Sequence, residues 1–167
     1  MTFKDIYNNF KDLVYNLALQ YVCQVEDAEE ITQDVFVKIY NHFKEFREES
    51  SLKTWIYRIT INQSIDFIKT KNRNKRSLFK NILRFDDPAS NLEIKNFDHP
   101  GIALENKEDL ELLMTKIYCL PENQKTVIIL LKIEDMTQKE VAKIMQLSEG
   151  AVESLFQRAK KSLRNIL

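Results

Sequence analysis

The segment TQKEVAKIMQLSEGAVESLFQRAKKSLR, from Thr137 to Arg164, carries polar side chains of the kinds that bind double-stranded DNA. Short polar side chains can reach base edges in the major groove, and Arg and Lys can contact phosphates. The candidates are Thr137, Ser148, Gly150, Glu153, Ser154, Gln157, Arg158, Lys160 and Lys161. Glu153 could accept a hydrogen bond from cytosine N4, but it would repel phosphate. An ordinary amphipathic surface helix with a charged outer face explains the same residues equally well.

Two helices joined by a short turn must position these side chains. Thr137 and Glu140 have the spacing of a capping box, and Ser148 is expected to cap the last helix after a turn over residues 146–149. The apolar residues of the last helix then share one face: Val152, Phe156, Ala159 and Leu163, with Leu155 at its border. The pattern predicts a helix-turn-helix whose polar face is free to contact a partner.

A second candidate surface lies in SLKTWIYRITINQSIDFIKTKNRNKR, predicted to be helical from about Leu52 to Lys71. One side of this helix carries Trp55, Arg58, Asn62, Asp66 and Lys69, and the other carries Tyr57, Ile61, Ile65 and Ile68. Trp55 could stack on an unpaired base, and Asn62 could hydrogen-bond a base edge. The basic residues available for phosphates are Arg58, Lys69, Lys71, Arg73, Lys75 and Arg76. The alternative is that Trp55 packs on a neighbouring helix and the basic tail is only solvated.

The composition of the 167 residues favours helices, because 44% are hydrophobic while only 2 Gly and 3 Pro are available for turns. The formal net charge is zero, but basic blocks at 44–84 and 137–167 flank an acidic block at 85–113. The predicted fold is all-α, with two small helical domains at 1–73 and 107–167. A flexible linker at 74–106, containing DDPASN and DHPG, is expected to join them.

The first domain is predicted to contain three helices. The first helix spans Phe3 to about Val22, and the second begins with Asp27 as its N-cap and Glu30 as the capping-box partner. Its core-facing residues are Ile31, Val35, Ile39 and Phe43. KEFREESS has no apolar period and is predicted to be the loop before the third helix.

The sequence gives no indication of catalysis, a cofactor or a metal. It contains no P-loop, and neither His42 nor His99 has a nucleophile or metal ligand at a recognisable spacing. Cys23 and Cys119 are expected to be reduced core thiols. With no signal peptide or membrane-spanning run, the chain is expected to be soluble and intracellular.

The two candidate surfaces resemble those of one protein family. AEEITQDVFVKIYNHFKEF with SSLKTWIYRITINQSIDFIK resembles the second conserved region of bacterial RNA polymerase sigma factors of the extracytoplasmic-function (ECF) subfamily. LPENQKTVIILLKIEDMTQKEVAKIMQLSEGAVESLFQRAKKSLR resembles their fourth region. The resemblance covers nearly all of the chain outside the linker and implies a subunit that binds core polymerase, selects promoters and helps to melt them.

The resemblance also implies roles for particular residues. On the second helix, Glu30, Gln33, Asp34 and Lys38 become candidates for binding the β′ clamp helices. The candidates for minus-ten recognition are Phe46, Arg47, Lys53, Trp55, Arg58, Asn62, Asp66 and Lys69. The polar face of the last helix becomes the minus-thirty-five surface. The VIILL stretch at 127–131 is implied to contact the β flap.

Regulation is implied to come from a separate anti-sigma partner. Sigma factors of this subfamily often carry Lys and Arg at the positions of Glu153 and Leu155, so the minus-thirty-five preference stays open. Two other functions are alternatives to a promoter-selecting subunit. A stand-alone helix-turn-helix regulator would explain only the last helices, and a helical adaptor that binds only protein would leave both basic surfaces unused.

Overall fold

The computed structural model describes residues 2–46, 50–82 and 107–166. These ranges contain helices and no strand. The helices are α1 (Phe3–Val22), α2 (Val25–His42), α3 (Leu52–Ile82), α4 (Lys107–Tyr118), α5 (Glu122–Ile128), α6 (Gln138–Met145) and α7 (Glu149–Ile166). We call α1–α3 the N-terminal domain and α4–α7 the C-terminal domain. The prediction of an all-α fold is confirmed, while residues 83–106 of the predicted linker lie outside the described residues.

Helix α1 has the predicted bounds, and its ends explain them. Thr2 and Asp5 form a capping box at its start, and Cys23 closes it in the left-handed conformation with φ 56°. The buried residues of α1 include Ile6, Val14, Leu17, Ala18 and Tyr21. Helix α1 therefore supplies one wall of the N-terminal core.

The predicted start of α2 was wrong. The helix begins at Val25 with Gln24 as its N-cap, and Gln24 makes no side-chain capping bond. Helical hydrogen bonding starts directly after Cys23: the Ala28 N–H donates to the Gln24 carbonyl at 3.0 Å. Asp27 therefore lies inside the first turn, where its carboxylate accepts a hydrogen bond from Lys71 of α3.

Helix α3 extends beyond the predicted end at Lys71 and runs to Ile82. The apolar repeat stops near Lys71, but no Pro or Gly follows until Pro88. Residues 72–82 include two Lys and two Arg, which are good helix formers, and contain no helix breaker, so the backbone can stay helical after the apolar repeat has ended. Loss of the apolar repeat therefore did not mark the end of the helix.

The apolar face predicted for α3 packs between the domains. Tyr57 and Ile61 are buried together with residues of α5 and α6, and Ile65 and Ile68 pack against the same cluster. The core of the N-terminal domain uses a different face of α3, on which Ile56 is fully buried. Thr60 and Ser64 are also fully buried, and their hydroxyls donate to the carbonyls of Ile56 and Thr60.

The C-terminal domain contains the predicted helix-turn-helix. A π-helical turn over Ile129–Ile133 extends α5 before the chain turns into α6. Thr137 and Glu140 form the expected capping box of α6, and the Ser148 hydroxyl accepts from the Ala151 N–H at the start of α7. Gln146 makes the connecting turn in the left-handed conformation, with φ 57°. These contacts fix the angle at which α7 leaves α6.

Candidate nucleic-acid interface

The row predicted on α3 lies along one side of the helix. Asn62, Asp66 and Lys69 are exposed, and Trp55 and Arg58 are half-buried. Lys53, in the first turn of α3, is exposed and its ammonium lies 5.8 Å from the centre of the Tyr57 ring. The structure therefore brings the polar candidates of α3 together at the surface.

Trp55 packs inside its domain and is also partly open to solvent, so it has features of both alternatives, packing on a neighbouring helix and stacking on a base. Its ring packs against the N-terminal core, and its centre lies 5.2 Å from that of Phe46, with the ring planes tilted by 44°. The side chain is nevertheless only partly buried. An aromatic ring that is supported by Phe46 and still partly exposed can contribute to stacking on an unpaired base. Arg47, the neighbouring candidate, lies outside the described residues, as do the side chains of Lys75 and Arg76.

Basic side chains of α3 are held by other parts of the chain. Arg58 donates from Nε to the Ile144 carbonyl at 3.2 Å and from Nη2 to the Lys143 carbonyl. Lys69 forms an exposed ion pair with Glu122, with 3.1 Å between Nζ and Oε2. Lys71 pairs with Asp27 within the N-terminal domain. In this arrangement, the phosphate candidates Arg58 and Lys69 both contact the C-terminal domain.

The polar face of α7 has the predicted exposure. Val152 and Ala159 are fully buried, and the ammonium groups of Lys132 and Lys160 lie 5.4 and 4.7 Å from the centre of the Phe156 ring. The exposed candidates are Thr137, Ser148, Gly150, Ser154, Gln157, Arg158 and Lys161, while Glu153 and Lys160 are half-buried. The apolar side of α7 packs, and its other side is open.

Glu153 is already hydrogen-bonded in the absence of DNA. Its Oε2 accepts from Nε2 of Gln138 on α6, and its Oε1 accepts from Nε2 of Gln157 one turn further along α7. The carboxylate thus holds the side-chain amides of two exposed residues. The sequence suggested Glu153 as a base contact but did not indicate this bridge between the two helices.

The outer face of α2 is exposed along its length. Glu30, Gln33, Asp34 and Lys38 are all exposed, and Asp34 accepts a hydrogen bond from Gln63 of α3. Two exposed apolar side chains share this face: Val37 is 58% exposed and Tyr40 is 66% exposed. Neither residue was predicted from the sequence, although their spacing of four and seven residues from Gln33 places them on one side of a helix.

Several titratable groups have pKa values shifted by their surroundings. Burial raises the pKa of the Cys23 thiol to about 12, and burial lowers the pKa of Lys125. Burial, followed by the hydrogen bond to Glu134, raises the pKa of Tyr57. The hydrogen bonds from Thr137 lower the pKa of Glu140. Cys119 is exposed rather than a core thiol, so that prediction was wrong.

The described residues contain no group of three His, Cys, Asp or Glu side chains that could hold a metal ion. Across the same ranges, no helix is both long and apolar enough to span a membrane.

Family models match both domains. The model described as Sigma-70 region 2 matches residues 6–74, and the model described as Sigma-70, region 4 matches residues 110–163. Among curated relatives, an ECF RNA polymerase sigma-E factor of Haemophilus influenzae is 28% identical, with 98% of this chain and 86% of that protein aligned. The ECF RNA polymerase sigma factor SigW of Bacillus subtilis is also 28% identical, over 99% of this chain and 88% of SigW.

The chain belongs to the ECF subfamily of RNA polymerase sigma factors. The predicted family is therefore confirmed. The fold of this sigma factor is also similar to that of RpoE from Bartonella quintana, solved with the anti-sigma factor NepR. The TM-score is 0.68 and the identity 19%, over 98% of this chain and 94% of RpoE. CnrH, solved with the cytosolic domain of CnrY, gives a TM-score of 0.65 at 20% identity, over 98% of this chain and 86% of CnrH.

The region 2 match contains most of α1, all of α2 and the part of α3 that carries the polar row, and the region 4 match contains α6 and most of α7. The VIILL stretch implied to contact the β flap is mostly packed inside the protein. Residues 127–130 are at most 5% exposed, while the neighbouring Lys132 and Ile133 are exposed. In the arrangement observed, a flap contact in this region would therefore involve those neighbours.

Proposed function

We propose that this sigma factor binds core RNA polymerase, directs it to a subset of promoters and helps to open the DNA there. The observation that carries the proposal is the match of regions 2 and 4, in order, to the domains that display the candidate surfaces. A stand-alone helix-turn-helix regulator would leave the region 2 domain without a role. The protein acts through binding alone, without catalysis, and works in the bacterial cytoplasm.

The proposed polymerase-binding surface is the outer face of α2. Its polar members are Glu30, Gln33, Asp34 and Lys38. Val37 and Tyr40 add exposed apolar area between and beside them. The Tyr40 ring contacts the Phe3 ring edge to face, with 5.1 Å between the ring centres, and still remains 66% exposed. Aromatic side chains are enriched at protein interfaces, so we assign Tyr40 the largest single contribution.

Minus-ten recognition is proposed for the start of α3 and the segment before it. Trp55 is held against Phe46 and would support an unpaired base, while Asn62 is exposed and free to hydrogen-bond a base edge. Arg58 and Lys69 would contact phosphates once released from the C-terminal domain. Holding an unpaired base offsets the few kcal/mol lost in unstacking it, so melting needs no catalytic residue.

Minus-thirty-five recognition is proposed for the open face of α7. Ser154 and Gln157 would lie near bases, and Arg158, Lys160 and Lys161 near phosphates. By its resemblance to its relatives, the protein would also have an anti-sigma partner. Such a partner would bind both domains and cover their candidate surfaces.

Binding of the purified chain to sigma-free core polymerase tests the proposal. Tyr40→Ser should weaken binding at least tenfold in a fluorescence anisotropy titration, because central aromatic contacts commonly contribute about 2 kcal/mol or more. Leu113→Ser is the matched control, since Leu113 is 46% exposed in the other domain and should leave binding unchanged. If wild-type protein does not bind core polymerase, the proposed function is wrong. Equal effects of the two substitutions would instead reject the α2 surface.

A further inference from the structure

The open face of α7 begins with a position that has no side chain. The first residues of such a helix lie nearest to base edges when a helix-turn-helix occupies the major groove. Gly150 is exposed in the first turn of α7, and a Cβ added there would meet no atom within 4 Å. A base pair opposite this open space can only be read by a side chain from a neighbouring position.

The hydroxyl groups at the starts of α6 and α7 are already used in helix caps. The Thr137 hydroxyl accepts from the Glu140 N–H at 3.3 Å and donates to the Glu140 carboxylate at 2.7 Å. The Ser148 hydroxyl accepts from the Ala151 N–H at 3.2 Å. Gln138 is the first residue of α6, and its exposed side chain takes part in neither cap. Its amide is therefore free for another contact.

Glu153 fixes the amide of Gln138 beside the open face of α7. The carboxylate accepts from Gln138 Nε2, and Glu153 follows Gly150 by three residues, so the two positions are neighbours on the helix surface. The bond uses one N–H of Gln138 and leaves its second N–H and its carbonyl oxygen. Glu153 also accepts from Nε2 of Gln157. Each amide thus keeps one donor and one acceptor in a set orientation.

One donor beside one acceptor matches the major-groove edge of adenine, where N6 donates and N7 accepts. Guanine presents two acceptors there, cytosine one donor, and thymine one acceptor beside a methyl group. Because both amides are bound to one carboxylate, they can face neighbouring base pairs, which are about 3.4 Å apart along the duplex. In this arrangement, Glu153 orients the amides and touches no base.

We propose that Gln138 of α6 is a specificity-determining residue for the minus-thirty-five element, and that Gln138 and Gln157, both oriented by Glu153, recognise adenines at two neighbouring base pairs. Gln138 extends the reading surface from α7 to the start of α6, and the open space at Gly150 admits the base edge. The inference rests on the proposed function, because it assumes that the open face of α7 meets the minus-thirty-five element.

The test uses the full chain bound to core polymerase, with labelled promoter duplexes that carry the minus-thirty-five element mapped with that complex. Fluorescence anisotropy competition compares the four bases at each position of the element. Wild-type protein should prefer adenine about fivefold or more at two neighbouring positions, because each amide makes two hydrogen bonds to adenine. Replacing adenine with 7-deazaadenine, which lacks the N7 acceptor, should weaken binding at both positions.

Gln138→Ala should remove the adenine preference at one of the two positions, and 7-deazaadenine should then have no further effect there. Gln138→Arg keeps a donor for Glu153 and should shift the preference at that position to guanine, whose O6 and N7 accept two hydrogen bonds from Arg. The control is Asn123→Ala. Asn123 carries an exposed amide on α5, forms no side-chain hydrogen bond in the described part of the chain, and should leave every base preference unchanged.

A purely structural role of Gln138 predicts a different result. If Gln138 only ties α6 to α7, Gln138→Ala would weaken binding to all duplexes by the same factor, and Gln138→Arg would leave the preferred base unchanged. Either result, or a wild-type protein without adenine preference at two neighbouring positions, would overturn the inference and leave the proposed function intact. Failure of the wild-type protein to start transcription with core polymerase would reject both.

Discussion

Glu153→Ala distinguishes a carboxylate that reads a base from one that positions its neighbours. In the structure, both of its oxygens already accept hydrogen bonds, from Gln138 and Gln157. Direct reading of cytosine would require one of these bonds to break. We therefore predict that Glu153 orients the two amides and that its charge opposes DNA binding. The substitution should raise general affinity for duplex DNA and reduce discrimination between sequences.

The expected rise in general affinity for duplex DNA follows from electrostatics. A carboxylate roughly 8 Å from a phosphate is repelled by about 0.5 kcal/mol at the dielectric constant of water and by about 2 kcal/mol at an effective value of 20. Affinity for a scrambled duplex should thus rise about twofold to thirtyfold at low salt, and less at high salt. A well-placed amide contributes about 1–3 kcal/mol of discrimination, so releasing Gln157 should reduce the preference for the mapped element about fivefold or more.

The assay is fluorescence anisotropy with mapped and scrambled minus-thirty-five duplexes, at about 50 and about 200 mM salt. Glu149→Ala is the control. Glu149 is exposed in the first turn of α7 and forms no side-chain hydrogen bond in the described part of the chain. The Glu149→Ala substitution should raise general affinity for duplex DNA without changing the discrimination between mapped and scrambled duplexes. If Glu153→Ala instead weakens binding only to duplexes with cytosine at one position, Glu153 reads that base and the positioning role is wrong.

Other substitutions test local features of the fold. Gln146→Gly should stabilise the protein by about 1 kcal/mol in urea unfolding, because residue 146 has φ 57°; no gain would show that this turn is unstrained. Gly150→Ala should add about 0.5–1 kcal/mol, since a Cβ there meets no atom within 4 Å, and a loss would contradict that open space. Lys125→Met tests burial of the ammonium. The pKa of Lys125 is below its ordinary value in the folded protein, so wild-type stability should rise relative to Lys125→Met as pH increases toward 10.5. Parallel pH profiles of the urea midpoint would refute that reasoning.

The helix-turn-helix could be predicted because its signals are local. The Thr137–Glu140 capping box, the Ser148 cap and the apolar stripe of α7 depend on residues within a few turns of one another. Each appears in the sequence as a fixed spacing. The exposed face of α7 followed from the same periodicity.

The contacts between domains could not be predicted in this way. The stripe containing Tyr57 and Ile61 has the spacing of a core face, but spacing does not show whether its partner lies in the same domain. Glu134 accepts a hydrogen bond from Gln20, which is 114 positions away in the chain. Arg58 looked available for phosphate because its acceptors are backbone carbonyls, which leave no mark in the sequence.

Transcript mapping tests the central claim most directly. Sigma-free core RNA polymerase would transcribe a genomic DNA library with and without this protein, and the transcript starts would be compared. We expect new starts preceded by a shared pair of upstream motifs, and Asn62→Ala should alter the preference within the motif nearer the start. If the protein adds no new start, its assignment as a promoter-selecting subunit is contradicted.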